Sequence, residues 1–337
     1  MSVINSVFPL GFPWQTQDPF LFCVHHLDKY PEGNDEMGPK ESLAGRNIGQ
    51  DFTIKDGWRM YHGSTVPGFP YHPHRGFETI TIAEQGFIDH TDSMGGAGRF
   101  GAGDVQWMTA GKGILHSEMF PLVHTDKDNT LEIFQIWLNL PAKSKFVEPH
   151  FKMLWADSIP EKTVIDGSGK QTTVRIIAGE LHNQKAPATT PDSWAAESTN
   201  SVMLATLKIP AGGTYELAAG PSDTTRTIYF YQGHTVQVAD QKITINHGVD
   251  VKPDQVIQLI AGEQDCSILV MQGKPINEPI AQHGPFVMNT QEEIRQAFAD
   301  FRKTQFGGWP WPKEEQTHDR ERARFALHSD GKEEVPS

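Results

Sequence analysis

Apolar and polar residues alternate in short bursts along most of the chain, the pattern of strands with one buried face. Between Ile54 and Leu140 the bursts follow one another closely. Phe77–Ala83, Asp104–Met108 and Leu131–Leu140 read as strands, with Ser93–Gly103 and Phe120–Asn129 as loops between them. The same texture returns at Val174–Ala178, Val202–Ile209, Thr227–Tyr231, Thr235–Val238, Val256–Ile260 and Ser267–Gln272. Turn words punctuate it at Ala211-Gly212-Gly213, Gln232-Gly233-His234 and Ala261-Gly262-Glu263. No helical segments alternate with these strands, which argues against a parallel α/β sheet. The expectation is an all-β chain of two consecutive antiparallel barrels. Their junction falls in Lys143–Lys170, where Pro149, Pro160 and the loop Asp166–Lys170 interrupt the pattern.

One segment changes period. Ile294, Ala297, Phe298 and Phe301 fall at i, i+3, i+4 and i+7, which predicts a helix over Gln291–Lys303 with one apolar stripe. Thr290 followed by Glu293 is a capping-box word. The run Phe306-Gly307-Gly308-Trp309-Pro310 ends the helix. Beyond it Lys313–Ser337 is mostly charged, and Phe325 and Leu327 are the residues that could lay it across the surface.

Composition narrows the function classes. The 337 residues suffice for about two domains. The 31 glycines and 23 prolines suit short strands and tight turns. A net charge of −13 repels phosphate backbones, so direct nucleic-acid binding is not expected. No apolar run approaches the ~18 residues of a membrane span, and Met1–Gln17 lacks the basic start of a signal peptide. Two distant cysteines, Cys23 and Cys266, form no disulfide framework, so a cytoplasmic location is the expectation.

Two phosphate-binding words are spurious. Gly96-Ala-Gly-Arg-Phe-Gly101 matches GxGxxG but opens no helix after a strand, and Gly111-Lys112 is followed by Gly113 rather than Ser or Thr. Both are read as turn glycines.

The chemistry lies in Tyr71–Glu78 and, 42 positions beyond His74, in Gly111–Glu118. Residues i and i+2 of a strand share a face, about 6.5–7 Å apart. His72 and His74 can therefore point together into a barrel, as can His116 and Glu118 from another strand. Three neutral imidazoles and one carboxylate suit a divalent first-row metal and leave coordination positions open. The donor set is too hard for Cu(I) and too rich in imidazole for Mg²⁺ or Ca²⁺. Adjacent His25 and His26 point to opposite faces and cannot chelate together. His62, His124, His150 and His234 have no partner in register. His90 and Asp92 share a face, but Asp92-Ser93 reads as the start of a turn. Glu78 alternates onto the face of the two histidines and is read as a hydrogen-bonding neighbour rather than a ligand.

His72-Pro-His-Arg-Gly-Phe-Glu-Thr79 and Gly103-Asp-Val-Gln-Trp-Met-Thr-Ala-Gly-Lys-Gly-Ile-Leu-His-Ser-Glu118 resemble the two cupin motifs and, more closely, the pirin family. Asn139-Leu-Pro141, Val174–Glu180, Gly273–Ile280 and His283–Asn289 are similar to pirin segments too, so the resemblance runs almost to Trp311. The loop Pro31–Asn47 and the tail depart from it. The resemblance implies a bicupin, two β-barrels facing each other with only the first metallated. It implies an N-terminal metal-binding cupin over 1–155, a metal-free cupin over 156–305 ending in the helix, and a tail over 306–337. It also implies one metal ion held by His72, His74, His116 and Glu118. Iron(II) is the family's usual metal, with Mn, Ni, Co, Cu and Zn as alternatives.

Two functions follow from the resemblance. One is a quercetin 2,3-dioxygenase-like oxidoreductase taking a small flavonol-like aromatic substrate and O₂, with Glu118 as catalytic base. Trp107, Met108 and Phe134 are then candidates for an apolar mouth. The other is a non-catalytic, redox-responsive iron protein that binds protein partners; the acidic surface favours protein over DNA.

Overall fold

The computed structural model describes residues 2–336. Strand accounts for 45% of residues and helix for 9%, and the paired strands of its sheets are antiparallel, so the all-β expectation holds. The contacts divide the chain into two compact units that are interleaved in sequence. Residues 1–23 and 158–277 form one; residues 24–157 and 278–337 form the other. The chain passes between the units at 23/24, 157/158 and 277/278. By contacts the helix, which the resemblance puts at the end of the second cupin, groups with residues 24–157, and so does the separate tail.

In the unit built mainly from 158–277, a seven-stranded sheet runs in the order Ile4–Pro9, His247–Val251, Thr225–Gln232, Cys266–Gly273, Met203–Ile209, Gln171–Ala178, Glu161–Ile165. A four-stranded sheet (Thr214–Leu217, Ile257–Ala261, Thr235–Val238, Gln241–Thr244) accompanies it. Alternate residues of both sheets meet in one apolar cluster that includes Ile176, Leu207, Ile228, Phe230, Val249 and Ile268. Cys23 and Cys266 are both buried free thiols.

The other unit also has two sheets. One runs His150–Leu154, Val105–Thr109, Phe77–Gln85, Asn129–Asn139, Phe20–Tyr30. The second runs Glu333–Glu334, Phe325–Leu327, Ala97–Gly101, Phe87–Asp92, Ile114–Met119, Gly68–His74. Gly68–His74 is thus an edge strand, where Pro73 removes no needed ladder donor. A bulge between Phe69 and His72 shifts its register and sets His72 opposite His116.

The helix spans Gln291–Thr304, and both bonds of the Thr290–Glu293 capping box are present. Its stripe packs Ile294, Ala297, Phe298 and Phe301 against Phe286, Met288 and Phe306.

The tail is structured. Phe325–Leu327 pairs with Ala97–Gly101, and Arg99 reaches the carbonyls of His318, Asp319, Arg320 and Arg322 while its other edge grips Asp89 at 2.7 and 2.8 Å. This corrects the reading of Gly96–Gly101 as turn glycines, since Ala97–Gly101 is a strand. Its glycines serve close approach: a Cβ on Gly101 would sit 2.1 Å from the Gly86 carbonyl oxygen, and one on Gly98 2.9 Å from that of Phe325. The Gly111 and Gly113 positions are turns, as expected, both with positive φ. Among the described residues no helix is long and apolar enough to cross a membrane.

Candidate metal centre

Three histidines converge inside the unit built mainly from 24–157. His72 and His74 come from the edge strand and His116 from its neighbour, and one nitrogen of each lies within 4.8 Å of the others. The bulge makes the convergence possible, because it aligns His72 with His116 across the ladder while His74 pairs with Ile114.

The protonation pattern favours a cation. His72 Nδ1 lies 2.9 Å from the Pro70 carbonyl, which can only accept, so Nδ1 carries the proton and Nε2 is a bare lone pair. That lone pair faces His116 Nε2 at 3.0 Å. Burial pushes the His72 pKa down to about 4 and holds His74 and His116 well below the ordinary imidazole value. All three rings are therefore neutral at pH 7, the form that donates to a metal. The Nδ1 atom of His116 has no hydrogen-bond partner. Three imidazoles with one nitrogen each this close together suit a divalent ion, although His116 Nε2 and His72 Nε2 also lie within hydrogen-bond reach of one another.

Glu118 shares the inward face with His116 but stands beside the mutually close set. Its Oε2 is 3.7 Å from His116 Nε2. Its carboxylate reaches the facing sheet, where Gln135 Nε2 donates at 2.8 Å and Thr81 Oγ1 at 3.1 Å. Burial raises its pKa above the usual carboxylate value, and these two bonds act against the rise.

Neighbouring positions sort by strand parity. His90 is fully buried with Nε2 3.1 Å from Asp92 Oδ2, and its ring centroid is 5.7 Å from that of His116. Asp92 Oδ1 accepts the amides of Met94 and Gly96, so it does form the turn expected of it. Glu78 lies on the facing sheet and accepts a 2.7 Å bond from Thr109. His26 bonds the Tyr61 hydroxyl while His25 bonds Glu132.

The proposed mouth residues divide. Thr81, Gln106 and Met108 lie on one face of the facing sheet, and Met108 is a fully buried core residue. Trp107 and Phe134 fall on the opposite parity, and Phe134 stacks on His25 with centroids 4.6 Å apart. The aromatic wall beside the histidines is instead Trp137 and Phe77, whose centroids lie 5.5 and 5.0 Å from that of His74. Trp137 shares parity with Gln135, a two-residue step that could have marked it.

Comparison with known proteins decides the lineage. The pirin family signature matches residues 14–138, and that of the pirin C-terminal cupin domain matches residues 204–307. The chain belongs to the pirin family. Mouse pirin is 36% identical over 252 residues, which cover 73% of this chain and 80% of that protein. A Pseudomonas aeruginosa protein named "Putative quercetin 2,3-dioxygenase" is 36% identical over 239 residues, 71% of this chain and 79% of its own. The crystal structure of quercetin 2,3-dioxygenase from Acinetobacter baumannii superposes with a TM-score of 0.69 at 32% identity, covering 86% of this chain and 87% of that one. The two barrels are accordingly cupin domains of a pirin. All four candidate ligands fall inside the pirin match, whereas the tail that Arg99 anchors lies beyond both matches.

Proposed function

We propose that this pirin is a metal-dependent dioxygenase acting on flavonol-like aromatic substrates such as quercetin. The observation that carries the reading is the His72–His74–His116 set, one nitrogen of each within 4.8 Å of the others, beside a buried carboxylate. Relatives named for quercetin 2,3-dioxygenase activity supply the substrate class.

His72, His74 and His116 hold the ion, with Glu118 as its fourth ligand from the same strand as His116. A divalent ion in that set, iron(II) first among the candidates, supplies Lewis-acid and redox capacity for reaction with O₂. The chain's residues do the rest. Trp137, backed by the buried Phe77, gives an aromatic face against which a flat substrate ring can stack. Glu118 accepts the proton of the substrate hydroxyl at Oε2, a role that requires the carboxylate to be displaced from the ion or only weakly bound to it. Thr81 and Gln135 fix the carboxylate from the facing sheet. The two buried free thiols support a reducing, cytoplasmic setting.

The test is metal analysis of the purified protein alongside oxygen uptake with a flavonol panel. Activity should vanish on chelation and return with Fe²⁺ or another divalent ion. Glu118→Gln keeps an oxygen of nearly the same shape but removes the base. It should retain most of the metal and lose at least ~100-fold in turnover. Full activity in that variant excludes Glu118 as the base. No oxygen uptake by fully metallated protein, across flavonols and catechols, replaces the enzyme with the redox-responsive binding protein.

A further inference from the structure

The unit built mainly from 158–277 contains a cavity of about 720 Å³. Its walls include Leu181, Ala186, Val202, Met203 and Ala218, several of them members of the barrel core. Polar side chains interrupt this lining, among them Glu180, His182, Lys185, Glu197, Arg226 and Gln272. Arg226 is only 3% exposed, yet no carboxylate pairs with it among the described residues.

Its bonds are all to neutral acceptors. Nε and Nη2 donate to Gln272 Oε1 at 2.8 and 2.5 Å, and Nη1 donates to the Ala218 carbonyl at 2.8 Å. A guanidinium has five N–H donors. Three are used, which leaves one on each terminal nitrogen. Gln272 is itself fixed, since its amide nitrogen donates to the Ser201 carbonyl at 3.1 Å. Gly220 permits the crowding, because a Cβ there would come to 2.5 Å from Arg226 Nη2.

A buried guanidinium without a counter-charge is costly unless an anion completes it. Burial lowers the Arg226 pKa to about 10, which still leaves it charged at pH 7. One fixed charge with paired terminal nitrogens matches a planar carboxylate, which arginine binds through two parallel bonds. The apolar walls call for a hydrocarbon body behind that head. Glu180, Glu197 and Lys185 also line the cavity, and two carboxylates against one lysine disfavour a multiply charged guest such as phosphate.

We propose that this cavity binds small organic monocarboxylates with an apolar body, and that Arg226, oriented by Gln272, receives the carboxylate. The site shares no residue with the histidine cluster and does not depend on the dioxygenase reading.

Gln272→Glu tests it with almost no change in shape. The new carboxylate pairs with Arg226 internally and competes with the ligand. Ala219→Phe is the second variant; it fills the cavity from an exposed lining position and leaves Arg226 alone. Calorimetric titration of the full chain with 3-phenylpropionate, 3-phenylpropionamide and inorganic phosphate reads the outcome. The carboxylate should bind the wild type, with affinity at least ~10-fold weaker in either variant, while the amide and phosphate give no binding. Three results overturn the proposal: no carboxylate binding at about 10 mM, amide or phosphate binding as strong as the carboxylate's, or undiminished affinity in whichever of the two variants folds.

Discussion

The two β units are built alike and filled differently. In the unit of residues 158–277, inward positions on neighbouring strands are Ile228, Phe230, Ile268 and Val270, and they merge into one apolar cluster. In the other, the same two-residue step brings His72, His74, His116 and Glu118 inside, with Thr81 and Gln135 facing them. Burial pushes the His72 pKa down to about 4, in keeping with an interior that disfavours a charged ring. A cupin barrel thus needs a closed sheet pair, not a hydrocarbon interior throughout. The polar set is a local exception surrounded by core such as Ile88, Phe100 and Ile114.

The largest test of that contrast is His74→Ala. Its metal affinity should fall by more than the ~10–100-fold that losing an outer partner costs, whereas His90→Ala should keep its metal. Metal analysis of both variants decides, and equal loss would mean the histidines have been wrongly assigned. Next in size, Arg99→Met strips the buried Asp89 carboxylate of its charged partner, leaving it the His318 amide, and releases four tail carbonyls. It should cost about 3–5 kcal/mol in denaturant unfolding. Ile268→Ala, in the apolar unit, should cost about 2–5 kcal/mol through the cavity it opens, with metal content unchanged. A parallel loss of metal in Ile268→Ala would erase the distinction between the units. The smallest effect belongs to Thr290→Ala, which removes the helix cap and should lower stability by about 1 kcal/mol.

The same contrast shows what was legible in the sequence. Period-two alternation places His72 with His74 and His116 with Glu118 because a strand's geometry is local. The Gln291–Thr304 helix was legible for the same reason, as its cap and stripe lie within one segment. Contacts across the barrel were not. Thr81 and Gln135 reach Glu118 only once two sheets face each other, and nothing in their own neighbourhood marks them. Phe134 was misjudged through parity, since proximity in sequence to Gln135 puts it on the opposite face. The strand Ala97–Gly101 hid behind glycines whose purpose is steric clearance for Gly86 and for the distant tail. The contact grouping of 1–23 with 158–277, and of 278–337 with 24–157, joins segments far apart in sequence, which local pattern does not carry.

That interleaving sets an order on biosynthesis. The unit of residues 1–23 and 158–277 has all its parts once position 277 has been made. The histidine-bearing unit, though begun earlier, must wait for the final stretch of about sixty residues, several seconds of translation at ~5–20 residues per second. During that interval the free edge of Ala97–Gly101 lacks the strand Phe325–Leu327 that will cover it. A chain cut short near position 300 would therefore keep that sheet edge uncovered and prone to pair with its neighbours.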